Sequence, residues 1–263
     1  MQFSVLKVAA AVLGGLAVIA ASAQGQDWRT ASRAPMGWAP TPEAYQPAVV
    51  QAYAARTVSW RGRFAVHCWI AFKPAGATQY QRFEVTGWNL RSNPSAIRET
   101  ATPTPDQRWF GAEAELLQDI RGAAAEKIIA ALPAAIASYL YADTYRLWPG
   151  PNSNTFIAHL AREIPDLRLA LPGNAIGKDF TGWSVVASAP SGTGFQVSLA
   201  GIVGLTLAVE EGLEINLLGL VFGANPMKPA ITLPAIGRLP AKSDWTAGRG
   251  AMAAGSSSAP TAK

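Results

Sequence analysis

Trp148-Pro149-Gly150-Pro151-Asn152-Ser153-Asn154-Thr155-Phe156 is a rigid proline–glycine–proline loop that runs into three small polar residues and then an apolar-periodic stretch. That order predicts a helix start, with the helix over Ser153 to about Glu163. The first backbone N–H groups of a helix have no partners inside it and carry the positive end of its dipole. An attacking oxygen or an anionic intermediate is therefore stabilised at this place. The plainer account is also open, because Asn152, Ser153 and Asn154 are all favoured capping residues and a cap needs no chemistry.

A serine hydroxyl is a poor nucleophile unless a base takes its proton as it attacks. The chain has two histidines. His159 lies six residues beyond Ser153, which on a helix turns it roughly 120° away; it reads as a packing residue. His67 lies 86 residues upstream on a predicted strand, Phe64–Phe72. Alternation puts Phe64, Val66, Cys68, Ile70 and Phe72 on one face, and Ala65, His67, Trp69 and Ala71 on the other. Cys68 thus points away from His67 and reads as a small buried hydrophobe. Lys73-Pro74-Ala75-Gly76-Ala77 is a turn, and Tyr80–Trp88 the returning strand. Closing that hairpin with Lys73 opposite Thr78 places His67 opposite Glu84, a carboxylate able to orient the ring and stabilise its protonated form. For His67 too there is a plain account, a satisfied, half-buried histidine.

Around these two segments the chain reads as α+β, an antiparallel sheet with packed helices. Val49–Ala54 is a strand. Asn89–Gln107 is polar and proline-bearing and reads as loop, and Arg108–Gly111 as a short strand. Glu113 to about Ala142 reads as helix, interrupted near Gly122 and at Pro133. Trp183–Ala187, Phe195–Val203, Leu205–Val209 and Leu213–Phe222 are strand candidates, with Glu210-Glu211-Gly212 as the turn between the last two.

The organisation expected is a signal peptide or signal anchor over residues 1–23, an irregular linker over 24–47, one α+β domain over 48–240 and a disordered tail over 241–263. Lys7, the apolar run Val8–Ala20 and Ala21-Ser22-Ala23 follow the order of a secretory signal. The expected location is accordingly exported, either periplasmic or held in the inner membrane by that segment. No later stretch is long and apolar enough for a span; Leu199–Val209 is cut short by Glu210, Glu211 and Glu214.

Formal charge is +5, and residues 1–23, with Lys7 their only charged side chain, account for one of these. The basic residues form no run, which argues against nucleic acid as a partner. Membrane contact is expected only through the N-terminal segment. One cysteine allows no intramolecular disulfide. Two histidines and one cysteine make no metal cluster, and no phosphate-cradling glycine motif appears, so no cofactor is expected.

The runs His67-Cys68-Trp69-Ile70-Ala71-Phe72-Lys73-Pro74, Trp148 to Phe156, Ala175-Ile176-Gly177-Lys178-Asp179-Phe180 and Glu210 to Leu220 resemble an uncharacterised bacterial envelope family, domain of unknown function 3750. That resemblance implies an exported or membrane-anchored protein and supplies no activity. An early strand histidine followed by Asn-nucleophile-Asn at a helix start is also similar to the permuted papain-like hydrolases, the NlpC-like and PPPDE-like groups. The similarity implies that fold, with His67 at the position of the catalytic histidine and Ser153 where those groups carry cysteine.

Two functions of different class follow as expectations. One is a hydrolase or acyltransferase acting on an amide or ester of the cell envelope. In it Ser153 attacks, His67 is the base, Glu84 orients it, and Asn152 and Asn154 bind substrate or the oxyanion. The other is a non-catalytic envelope module that binds lipid, peptidoglycan or protein through the same cleft.

Overall fold

The computed structural model describes residues 28–240. The signal segment expected over 1–23 and the tail expected over 241–263 lie outside the described residues. The fold is α+β: two antiparallel sheets and two helices. In chain order the first sheet comprises β1 (Val49–Arg56), β2 (Val66–Lys73), β3 (Tyr80–Val85), β4 (Ile97–Thr102) and β5 (Ala114–Arg121), arranged β4-β3-β2-β1-β5. Helices α1 (Ala123–Ala137) and α2 (Ser153–Glu163) follow. A seven-stranded meander then closes the described chain: β6 (Val186–Ser188), β7 (Gly194–Leu199), β8 (Val203–Ala208), β9 (Gly212–Leu217), β10 (Leu220–Asn225), β11 (Ala230–Leu233) and β12 (Gly237–Leu239).

Both faces of the first sheet are covered. On one, Val50, Cys68, Ile70 and Leu117 pack against Ile128 and Leu132 of α1 and Phe156, Ile157 and Leu160 of α2. On the other, Tyr53, Trp69, Tyr80, Trp109 and Leu116 form an aromatic core roofed by Met36, Trp38 and Tyr45. The stretch expected as a linker is irregular, but from residue 28 on it is folded onto this face. Asp106 accepts hydrogen bonds from the Trp38 and Ala39 amides, and Tyr80 donates to the Pro40 carbonyl.

Several boundaries differ from expectation. Residues 114–121 are strand β5, not helix: pairing with β1 sends Leu116 to the aromatic core and Leu117 to the helical one, so the usual apolar–polar alternation is missing. Helix α1 runs through Pro133, which lies on its exposed side. Ile97–Thr102 is strand β4, paired with β3, within the stretch read as loop. Arg108–Gly111 makes only an isolated bridge between Trp109 and Ala112. Phe195–Val203 and Leu213–Phe222 each divide into two strands. The second divides at Leu218-Gly219, both with positive φ, a two-residue hairpin turn that pairs Leu217 with Leu220.

The meander joins the rest through polar groups. Lys178, fully buried, lies 2.5 Å from Glu214 and 3.5 Å from Asp179. Arg162 of α2 donates to Gln196 at 2.7 Å and to the Lys178 carbonyl at 3.0 Å, and Gln196 donates to Asp179. Ser198 and Asn216 complete this layer through bonds to the carbonyls of Asp179 and Gly201.

Candidate functional site

Strand β2 has a gap in its pairing. It bonds β1 along its whole length, but β3 only at Ile70, Ala71 and Phe72. Beyond that point, on the side toward Val66, β3 has left, and two buried backbone groups would lack partners. The side chain of Asn154, in the first turn of α2, fills the gap. Its Oδ1 accepts from the Cys68 amide at 3.1 Å, and its Nδ2 donates to the Val66 carbonyl at 3.0 Å and to the Ile176 carbonyl at 2.8 Å. One carboxamide thus stands in for a strand and brackets His67 from both sides, which brings the helix start to the histidine.

The helix start is tightly built. Asn152 Oδ1 accepts from the Asn154 and Thr155 amides at 2.9 and 3.3 Å, and Thr155 Oγ1 accepts from the Asn152 amide at 3.1 Å, a reciprocal capping box. Asn152 Nδ2 donates to the Leu147 and Ile176 carbonyls, each at 3.1 Å. Gly177, at φ +99°, passes so close that an added Cβ would lie 2.4 Å from Asn152 Nδ2, so only glycine fits beneath the cap.

These bonds correct two expected roles. The amide side chains of Asn152 and Asn154 are committed to protein groups, as is the Asn154 backbone N–H, so neither residue has a side-chain donor left for substrate or an oxyanion. They position the site. The cap leaves the Ser153 N–H as the first-turn donor without a partner among the described residues.

His67 Nε2 lies 2.7 Å from Glu84 Oε2, with His67 5 % and Glu84 1 % exposed. The register differs from the expected one by two residues, with Ile70 opposite Phe83 and Ala71 opposite Arg82. An even slip keeps every side chain on its face, so Glu84 meets His67 diagonally rather than directly across. Glu84 Oε2 also accepts from Arg82 at 2.9 Å, and Oε1 lies 3.4 Å from Arg98. Burial works against its charge, but Arg82, His67 and Arg98 outweigh it and hold the carboxyl down to about 2. Burial pushes the His67 imidazole below its ordinary value, opposed by Glu84. An ionised carboxylate has no proton to give, so Nε2 carries the hydrogen and the lone pair lies on Nδ1.

The ring is fixed from its flat side as well. It stacks on Trp109 with centroids 3.9 Å apart and planes 13° from parallel. Arg82 in turn lies over Trp69 at 4.3 Å. Sequence reasoning gave no part to Trp109, Arg82 or Arg98. Arg82 stood on the same predicted strand face as Glu84, which was a usable signal; Arg98 was out of reach because its strand read as loop.

Ser153 and His67 line one cavity of about 260 Å³. No hydrogen bond joins them. The walls are mostly apolar, and Trp60, Phe64, Trp88, Leu147 and Trp148 at its rim are each 45–66 % exposed. His159 lies elsewhere, bonded to Ser138 and the Ala135 carbonyl at the end of α1. Cys68 is fully buried, and burial pushes its thiol far up, so it is inert. Among the described residues there is no group of three His, Cys, Asp or Glu side chains able to hold a metal ion, and no helix long and apolar enough to cross a membrane.

The family model described as protein of unknown function (DUF3750) matches residues 47–180, just over half of the chain. The match spans β1 to α2 and the 175–180 segment, and therefore all of Glu84, His67, Ser153 and the asparagine clamp. No curated protein and no solved structure matches the chain.

Proposed function

We propose a catalytic role for this chain, which belongs to the DUF3750 family of proteins of unknown function: a hydrolase or acyltransferase that uses Ser153 to open an amide or ester. The observation that carries it is the buried Glu84–His67 pair, with its ionised carboxylate and neutral imidazole, in the wall of the cavity that also holds Ser153 at a helix start. In the proposed step Ser153 Oγ adds to the substrate carbonyl as its proton passes to His67 Nδ1. The Ser153 N–H donates to the oxygen that becomes negative, and the imidazolium, stabilised by Glu84, returns the proton to the leaving group. Water or a second acceptor then releases the acyl group. The similarity to permuted papain-like hydrolases supports the pairing of His67 with this helix start, with serine in place of their cysteine. The cell envelope is the proposed location, on the strength of residues 1–23.

Two observations favour the non-catalytic reading. The Ser153 hydroxyl makes no hydrogen bond to His67, and the exposed aromatic rim is what a binding cleft also has. Labelling with a serine-directed fluorophosphonate separates the two. The enzyme reading expects labelling that Ser153→Ala abolishes and His67→Gln slows by about 10²–10⁴-fold. Failure of both the probe and a panel of p-nitrophenyl esters, in protein whose fold is intact, leaves the binding module.

A further inference from the structure

The meander is built inside out. On its four central strands the inward positions include Gln196, Ser198, Thr206, Glu214, Asn216 and Asn225, all buried in the polar layer. The outward positions form three rows across the sheet. The middle row runs Val197, Leu205, Ile215, Phe222, one flanking row runs Phe195, Leu207, Leu213, Ala224 and the other Leu199, Val203, Leu217, Leu220, and each of the twelve outward positions is apolar and exposed. No charged or hydrogen-bonding side chain interrupts them.

We propose that this face is a self-association surface, on which a second copy of the chain packs about a two-fold axis to make a sheet-on-sheet sandwich. The four six-residue strands, each about 20 Å long, and the three short outer ones, each about 10 Å, at about 4.8 Å per strand give a face of roughly 530 Å² in projection, before side-chain corrugation is counted. That is toward the upper end of the roughly 300–600 Å² of the largest apolar patch on an ordinary monomer, and about two-thirds of the roughly 800 Å² per partner of a stable interface. Shape favours a second copy over a bilayer. Sheets twist by about 20–25° per strand, so a seven-stranded sheet is a saddle that touches a plane only at its centre. Two copies with the same twist nest across the whole face at about −30°. This inference is independent of any reaction at Ser153.

Sedimentation equilibrium of the full chain over a range of concentrations tests it. The expected result is a dimer, weakened at least 100-fold by Ile215→Lys or by Leu205→Glu, with unchanged far-ultraviolet circular dichroism. Leu140→Lys, at an exposed site off this face, leaves the dimer intact. A wild-type monomer, an aggregate of no fixed size, or a dimer indifferent to both face variants overturns the proposal. So does a monomer that floats with phosphatidylcholine–phosphatidylglycerol vesicles, which assigns the face to lipid. The wild-type measurement decides even if both face variants fold poorly.

Discussion

Burial keeps the His67 imidazole neutral, while Arg82 and Arg98 help keep the Glu84 carboxylate ionised despite its burial. Both shifts make acid destabilising, in different windows. The folded histidine titrates below its unfolded value of about 6.5, so from about pH 6.5 downward the unfolded chain takes up a proton that the folded chain refuses. Stability falls through that window. Glu84 is held at about 2 against an ordinary 4.5; its contribution is whole above the ordinary value and is lost as pH falls from there toward 2. Urea unfolding measured from pH 8 to 4 should therefore show stability declining first below about pH 6.5. His67→Gln, which can still bond Glu84, should flatten that upper part and leave the lower part in place. An unchanged slope above pH 5 would mean that the imidazole is not what titrates. The residues of this pair were legible in the sequence because alternation on two strands fixes faces, and faces survive an even error in register. The guanidinium groups that set the carboxylate's charge were not, since Arg98 comes from a strand with no apolar alternation to announce it.

Among the elements, helix α2 and strand β2 depend on each other through Asn154. Removing its carboxamide leaves the Cys68 N–H and the Val66 carbonyl buried without partners. At about 1–3 kcal/mol for each orphaned group, Asn154→Ala should cost about 2–5 kcal/mol. Differential scanning calorimetry reads this as a fall in Tm of about 4–20 °C at 2–4 °C per kcal/mol. Asn154→Asp keeps the acceptor for Cys68 but turns a carboxylate oxygen toward the Val66 and Ile176 carbonyls, and should be no better than alanine. A loss under 1 kcal/mol for both would show that water replaces the amide. The start of α2 was readable because its cap is local, with Asn152 and Thr155 three residues apart. Strand β5 was misread for the opposite reason: leucine and glutamate suit a helix, and only pairing with a strand some 65 residues earlier makes them extended.

At the scale of the whole molecule, the meander is joined to the rest by buried polar groups, and neither apolar core includes a residue of it. Lys178 is buried, and although burial opposes its charge, Asp179, Glu214 and Glu211 hold its ammonium well above its ordinary value. Lys178→Met should leave Glu214 uncompensated and cost about 3–5 kcal/mol. Lys178→Met with Glu214→Leu should recover much of that loss, and equilibrium unfolding of the two variants checks it. Equal losses for the single and the double variant would place the cost in packing instead. The Glu210–Leu220 stretch gave strands and turns from sequence, but not which face turned inward, because alternation alone does not say which side is the core.

The clamp on His67 has a bearing on how the chain matures. Synthesis presents the β2–β3 ribbon, with its imidazole and carboxylate, well before the helix that seats it. Until residue 154 has left the ribosome, the backbone on either side of the imidazole has water in place of the carboxamide, and Ser153 has yet to arrive. Under the proposed function a nascent polypeptide is thereby chemically silent, and Asn154 joins the pocket only once nearly three-fifths of the molecule has emerged.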